Sequence, residues 1–423
     1  MGKRLLTKYI LLLNLFVILG GASCTADLSP SPTEVAGAPS QLYRWKVRLP
    51  GKAGIYNEGL IGLPVVNNKV LFHSTIFTSE NQEDNRIHAL DPATGKLIWT
   101  FPETYNPLEQ YYFEGKPYIH ENVLVTKMSA FEPYTNHDRI VIINANSGTK
   151  QLTLHMPREM SRFSCRDIAG NGSEAWFIQE DSRCSYLYKL SLTTGDTTRV
   201  LTLHPTHADG RLEVTSRELH LNAYNGKRVI CMGIAEYQGV SSVLQVLLVD
   251  ADSGEIVFRR TVNRDLDFIV NAVVSTPDYL LYSCGRNAGC YEIHTQQKIW
   301  EYQAGGSVDR MIPGLHVQDT IAIAWGHTGY TGISLHTGRV LYEKEMPCVS
   351  INGRSPCFFI VRGDGKLSVV HQKSGNEIRQ LSVNSHTDRS GFSYSCKPGV
   401  SGNSLFLFGE YNAYCYNIDV ITK

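Results

Sequence analysis

The 423-residue sequence has no excess of charge of either sign, with 40 Lys and Arg against 40 Asp and Glu. That balance excludes the basic surface by which proteins compete for the nucleic acid backbone. Long apolar runs are scarce. The one from Tyr9 to Leu19 is too short to cross a bilayer as a helix. The chain has no G-x-S-x-G, no C-x-x-C-H and no H-E-x-x-H. It therefore lacks the local signatures of a nucleophile elbow, a c-type haem attachment and a zinc protease. Its 14 histidines are scattered, and none sits at metal-ligand spacing with a third ligand. HTGYTG at 327–332 is glycine-rich, but it reads as a link between two strands. It opens no helix, so it offers no helix N-terminus to a phosphate.

Composition is otherwise ordinary for a globular protein, with 42% hydrophobic and 19% charged residues. Glycine and tyrosine are abundant, at 36 and 22, which suits many short strands. The amino terminus stands apart. Lys3, Arg4 and Lys8 precede the apolar run, and Gly20-Gly21-Ala22-Ser23 follow it. This order predicts a secretory signal peptide over 1–23. Gly-Ala-Ser-Cys resembles a bacterial lipobox, which makes Cys24 the expected lipidation site, although Gly21 stands where such boxes most often carry leucine. Removal of the leader leaves 37 basic against 40 acidic residues, a net of −3. Thr25 to Gln41 is rich in Pro, Ser and Ala without periodicity, and 24–41 reads as a lipidated cysteine with a flexible tether. Those 17 residues reach at most about 55 Å extended, and roughly 20–25 Å as a coil.

The rest repeats. Ile87 to Trp99, IHALDPATGKLIW, reads as strand, tight turn and strand. Asp91 can accept from the N–H groups that follow it, and Gly95 supplies a positive φ. Related turns occur as NANSG (144–148), SLTTG (191–195), DADSG (250–254), SLHTG (334–338) and HQKSG (371–375). The intervals between their glycines are 53, 47, 59, 84 and 37. The interval of 84 hides a further unit, YEIHTQQKIW (291–300), which has lost its glycine. A period near 40–50 with several strands per unit is a propeller signature.

A second tight turn precedes each of these. In the first unit LPVV (63–66) turns through Asn67 to Lys69 into VLFHS (70–74). The same turn recurs as HEN (120–122), GNGSE (170–174), NGK (225–227), STPD (275–278), HVQD (316–319), NGRSP (352–356) and VSGN (400–403). Eight units result. The last ends at NAYCYNIDVITK without a convincing fourth strand. LYRWKVRLP (42–50) resembles an outer strand, with Trp45 in the tryptophan place. The expectation is an all-β fold over 42–423: one eight-bladed β-propeller of four-stranded antiparallel blades, closed by pairing of its amino- and carboxy-terminal strands. Trp45, Trp99, Phe258, Trp300 and Tyr342 fill the outer-strand aromatic place and are expected to dock neighbouring blades.

ALDPATGKLIW resembles the pyrroloquinoline-quinone-type (PQQ-like) propeller repeat. That repeat is found in quinoprotein alcohol dehydrogenases. It is also found in cofactor-free bacterial lipoproteins, including the propeller component of the outer-membrane barrel-assembly machinery. The resemblance covers about Leu42 to Lys423 and is informative for fold, less so for function. The dehydrogenase branch would bring adjacent cysteines stacked on the quinone and acidic residues holding calcium. No two cysteines are adjacent here. The expectation is no catalytic residue, no cofactor and no metal. Cys284 with Cys290, and Cys348 with Cys357, could be cross-strand disulfides. Alternatively, all nine cysteines other than Cys24 are small buried apolar residues.

Strand alternation puts the first and third connections of every blade at one end, where they are tight. The long segments fall at the other end: IFTSENQEDNR (76–86), PETYNPLEQYYFEGK (102–116), SAFEPYTNHD (129–138) and AEYQGVSS (235–242). Read as loops, they carry Tyr105, Tyr111, Tyr112, Phe113, Phe131, Tyr134 and Tyr237 with Glu80, Glu83 and Asp84. These ten residues are the candidate interaction surface, the alternative being that several aromatics pack down onto the propeller. Three functions are compatible: an envelope scaffold with a protein partner, as the resemblance implies; a surface binder of glycan or peptide; and an enzyme, PQQ-dependent or hydrolytic. Cys24→Ser should move the protein from the membrane to the soluble fraction. Retention in membranes after a high-salt wash would show that lipidation is not the anchor.

Overall fold

Each repeat forms an antiparallel sheet, and eight such sheets follow one another in chain order. The computed structural model describes residues 43–49, 52–53, 68–77, 83–103, 110–132, 135–155, 168–216, 219–238, 241–263, 270–305, 311–382, 398–409 and 411–423. Blade 1 comprises Lys52–Ala53, Val70–Phe77, Glu83–Leu90 and Leu97–Phe101, and blade 2 Gln110–His120, Val123–Glu132, Thr135–Asn144 and Lys150–His155. Blade 3 comprises Ala169–Asn171, Glu174–Glu180, Ser185–Ser191 and Thr197–Leu203. In blade 4 the inner strand is split. Arg211–Val214 and His220–Tyr224 both pair with Lys227–Gln238, which is followed by Ser241–Asp250 and Ile256–Asn263.

Blade 5 runs Val270–Ser275, Tyr279–Cys284, Asn287–Glu292 and Lys298–Gln303, and blade 6 Gly314–Gln318, Ile321–Gly326, Gly329–Ser334 and Val340–Lys344. Blade 7 runs Cys348–Arg354, Cys357–Arg362, Leu367–His371 and Glu377–Leu381. Blade 8 has Gly399–Ser401, Ser404–Phe408 and Asn412–Asn417 from the carboxy-terminal end, and its outer strand is Tyr43–Arg48. Trp45 lies opposite Cys415, and Arg48 opposite Asn412. The ring closes as the sequence predicts. A short helix, Ile418–Ile421, ends the chain. The LPVV segment lies outside the described residues; in its blade Lys52–Ala53 pairs with Thr75 and Ser74.

The third turn, in blades 1 to 7, is built as its residues require. Asp91 Oδ1 accepts from the Ala93 and Thr94 N–H groups at 2.9 and 2.7 Å, and the Gly95 N–H returns to the Asp91 carbonyl at 2.7 Å. These bonds hold the Asp91 carboxyl below its ordinary range; the hydroxyl and N–H of Thr94 are the main causes. Asn144 and Asp250 repeat the arrangement. Gly95 has φ +73° and Gly148 φ +72°; in the glycine-less fifth unit Gln296 takes the position at φ +58°. The strand register slips by one residue just before the turn, between Ala89 and Leu90 in blade 1. That is the bulge a positive φ permits.

The same glycine receives the neighbouring blade. A Cβ on Gly95 would stand 2.7 Å from the Trp45 ring, and on Gly148 2.7 Å from the Trp99 ring. Each indole also donates to the carbonyl one residue into the turn: Trp45 Nε1 to Pro92 at 2.9 Å, Trp99 to Ala145 at 3.0 Å and Trp300 to Leu335 at 2.8 Å. Tyr342 does so with its hydroxyl, to Gln372 at 2.8 Å. Phe258 packs edge-on against Tyr291 of blade 5, with ring centroids 5.5 Å apart. All five outer-strand aromatics are buried. The apolar core is accordingly a series of layers between blades, with Trp45, Leu71, Trp99 and Phe406 in one and Trp176, Ile230 and Leu247 in another.

One open alternative is decided and one expectation is corrected. Cys284 faces Asn287 and Cys290 faces Leu281, while Cys348 faces Arg362 and Cys357 faces Arg354. All four are buried and none is in a disulfide, so the alternative of small buried apolar residues holds for them. The described parts of the long segments are mostly strand and not loop. Most of 129–138 and 235–242 is strand, in Val123–Glu132, Thr135–Asn144, Lys227–Gln238 and Ser241–Asp250. Segments 76–86 and 102–116 likewise contribute Glu83–Leu90 and Gln110–His120. What the sequence presents as loop elaboration is strand extension, because Tyr, Phe and Thr in those stretches favour the pleated chain.

Burying a tryptophan removes 150–250 Å² from water, a gross gain of about 4–6 kcal/mol. Trp45→Ala should therefore lower the urea unfolding free energy by about 3–5 kcal/mol. Gly95→Ala should lower it by about 2 kcal/mol through the left-handed backbone and the ring it displaces. In the double variant the two losses should fall short of additive, because they remove one contact. Full additivity would mean that the ring and the glycine do not depend on each other.

Candidate functional site

The two ends of the propeller differ. At the tight-turn end blades 1 to 7 present the same short hairpins, and blade 8 ends there in the short helix Ile418–Ile421. At the other end the second hairpins vary in length. Blade 3 has strands of 7 residues there, blade 2 of 10, and blade 4 of 12 and 10. Ladders of ten residue pairs in blades 2 and 4, against seven in blade 3, extend those two hairpins by roughly 10 Å beyond blade 3. Blade 3 thus forms a saddle between two taller hairpins.

A cleft of about 490 Å³ opens on that saddle, lined by Asp181 to Cys184 and by His204 to Ala208. Its two walls are the blade 3 hairpin and the link from blade 3 to blade 4. Two buried carboxylates fasten the link. Glu180 accepts from the Ser185 hydroxyl at 2.8 Å and from the Val214 N–H at 2.7 Å. Glu236, on the blade 4 hairpin, accepts both the N–H and the hydroxyl of Thr206. Across the cleft the Arg183 guanidinium donates to the Ala208 carbonyl. The hairpin tip is an aspartate turn: Asp181 Oδ1 takes the N–H groups of Arg183 and Cys184, each at 2.7 Å, and Oδ2 takes the Tyr186 hydroxyl at 2.5 Å. Burial acts to raise the Asp181 carboxyl, but the Tyr186 and backbone hydrogen bonds outweigh it, so it sits below its ordinary value. The same bond pushes the Tyr186 hydroxyl well up. Cys184 Sγ lies 3.4 Å from His204 Nδ1.

The sequence-predicted surface residues are only partly brought together. Tyr111, Tyr112 and Phe113 lie in the Gln110–His120 strand, opposite Ala130, Ser129 and Met128. Phe131 lies opposite Gln110 and Asn136 in the same blade. Glu83 and Asp84 lie in blade 1, opposite Phe77 and Ile76. Tyr237 is part-buried on the blade 4 hairpin, opposite Arg211 and Ser242, and burial raises its hydroxyl. Glu80, Tyr105, Tyr134 and Cys24 lie outside the described residues. Sequence reasoning missed Asp181, Cys184 and His204. The available signal was Cys184 itself, which stands in the polar turn DSRC while Cys231, Cys290 and Cys357 sit in apolar strands.

Residues 37–173 match the family described as outer membrane protein assembly factor BamB, PQQ_2. Over those residues the chain resembles BamB and its PQQ-like repeat. Among solved structures, BamB from Moraxella catarrhalis superposes with a TM-score of 0.58 at 12% identity, covering 88% of this chain and 96% of that one. The computationally designed Ika8 protein gives 0.57 at 12% identity, covering 88% of this chain and 100% of that one. A europium-containing methanol dehydrogenase gives 0.62 at 10% identity, covering 89% and 93%. Likeness at such identities establishes the fold. No curated protein matches the chain.

Because the folded Asp181 carboxyl is held below its unfolded value, its contribution to stability is complete above the unfolded pKa of about 3.9 and is lost as pH falls through the folded one. Asp181→Asn should therefore melt below the wild type at pH 7. The gap should close on acidification towards about pH 3. A gap of constant size would show that the charge plays no part.

Proposed function

We propose that the chain is a non-catalytic, lipid-anchored β-propeller that scaffolds a protein complex in the bacterial cell envelope. The observation that carries this reading is the match of residues 37–173 to the BamB family. The whole-fold likeness to the Moraxella protein supports it. The leader, Cys24 and the tether through Gln41 would supply export, the outer-membrane anchor and reach. The partner is an envelope protein, and its contact is the hairpin end. There the blade 2 hairpin carries Tyr111, Tyr112, Phe113 and Phe131, and the blade 4 hairpin carries Tyr237. At the opposite end Asp91, Asn144 and Asp250 are committed to their own turns.

A second reading, a PQQ-dependent oxidoreductase, rests on the likeness to methanol dehydrogenase. Among the described residues no three His, Cys, Asp or Glu side chains come together as a metal site, and no two cysteines are adjacent in the chain. Those residues do not fit a metal-bound quinone, and no chemical step is derived through one.

The scaffold reading predicts a stable membrane partner on detergent pull-down of the full chain. Tyr237→Ser, and separately Tyr111→Ser with Phe113→Ser, should each weaken retention. An interface hot spot is worth about 2 kcal/mol, or roughly thirtyfold in Kd. Lys96→Ser and Lys373→Ser, exposed on tight turns at the other end, should leave retention unchanged. Loss of partner from the lysine variants alone, with circular dichroism unchanged, would place the contact on the opposite face.

A further inference from the structure

Seven cysteines fall among the described residues, and six of them are buried. Burial pushes the thiols of Cys231 and Cys290 up to about 12. Such thiols stay protonated and out of reach, and they serve as small apolar residues. Cys184 differs in its placement. It is part-exposed, it opens into the cleft on blade 3, and its sulfur stands 3.4 Å from an imidazole nitrogen of His204. Its backbone is fixed, because its N–H donates to Asp181 Oδ1 at 2.7 Å. The facing wall is fixed as well, through Thr206 to the buried Glu236. The sulfur and the imidazole are thus held by two separate segments, each with its own anchor. The Asp181 carboxylate is already engaged by Tyr186 and two backbone N–H groups. His204 is exposed, and its Nδ1 meets the Cys184 sulfur.

We propose that Cys184 and His204 form a reactive thiol–imidazole pair, and that the cleft admits low-molecular-weight disulfides which exchange onto Cys184. In the step, His204 Nδ1 takes the thiol proton and the Cys184 sulfur attacks one sulfur of the incoming disulfide. The S–S bond of the reagent breaks as the bond to Cys184 forms. The departing half leaves as a thiolate and takes up the proton from His204. One thiol is consumed and one is released; the disulfide is the oxidant, and no further electron donor or acceptor is needed. The titratable groups around the pair are Asp181, Arg183 and Tyr186 on the hairpin, His207 on the link and Glu236 behind it. The cleft of about 490 Å³ is within the size range of small-molecule sites. This inference concerns a different element from the scaffold contact and stands without it.

The test uses the purified full chain, oxidised glutathione at pH 7 and mass analysis of the Cys184 peptide over time. A mixed disulfide should form on Cys184, faster in the folded protein than on the same peptide in the urea-unfolded chain. His204→Gln should slow it by on the order of tenfold, and Cys184→Ser should remove it, with circular dichroism confirming the fold of both. Equal rates in wild type and folded His204→Gln would overturn the pair. So would a folded rate no higher than the unfolded one, a comparison that needs no variant. A native disulfide from Cys184 to Cys165 or Cys396 in the isolated protein would overturn it equally.

Discussion

The ring depends on one contact, the aromatic of an outer strand laid on the bare backbone of the next blade's third turn. A glycine there does two things at once. Its positive φ lets the turn rejoin a twisted ladder, and its missing Cβ leaves room for the ring. The Trp45 ring would stand 2.7 Å from a side chain at Gly95. The indole N–H then satisfies the Pro92 carbonyl, so the dock buries apolar surface without leaving a polar group unpaired. The contact is directional, from the outer strand of one blade to the turn of the next. A directional contact repeated around a circle must return to its start, and the amino-terminal strand with Trp45 does this between blades 8 and 1.

Departures from the pattern preserve its logic. The outer-strand place in blade 3 holds Arg199, which lies over Tyr186 of its own blade at 5.5 Å. The dock to blade 4 passes to Trp176, whose indole donates to the Ala251 carbonyl at 2.8 Å while Arg228 covers its ring at 4.9 Å. Arg228 in turn bridges Glu174 and Asp252, tying the first turn of one blade to the third turn of the next. Between blades 4 and 5 the glycine is replaced by Gln296, which accepts from Arg260 at 2.9 Å. Between blades 7 and 8 the third turn is replaced by the terminal helix, and Arg379 donates to the Val420 carbonyl at 3.0 Å. A polar link from the outer strand to the following blade is thus present where the glycine or the third turn is lost, through Arg260 and Arg379.

Because docking occupies the tight-turn end, strand length at the other end is free to vary. Lengthening a hairpin there adds paired residues without moving a dock. Blades 2 and 4 use this freedom, and the saddle between them holds the cleft with Cys184 and His204. The same division separates the two proposals physically: a partner surface on the raised hairpins, and a thiol site on the shorter blade they flank.

The sequence by itself determined the repeat, the blade number and the closure. These follow from local rules that leave a local trace: a turn that needs Asp or Asn and then glycine, an aromatic at fixed distance after it, and a strand missing at one terminus that appears at the other. Even the unit without a glycine was legible from its spacing, since Gln296 holds the same left-handed backbone. Tertiary structure alone decided the rest. Whether Tyr111 and Phe131 lie in loops or strands depended on pairing partners, because a polar aromatic-rich stretch carries no mark of the strand that will accept it. Cys284 and Cys290 are near in sequence yet face other residues, since register and not spacing sets which side chains meet. His204 reaches Cys184 only because Glu180 and Glu236 fasten a link from the following blade, an arrangement of distant residues that no short motif records.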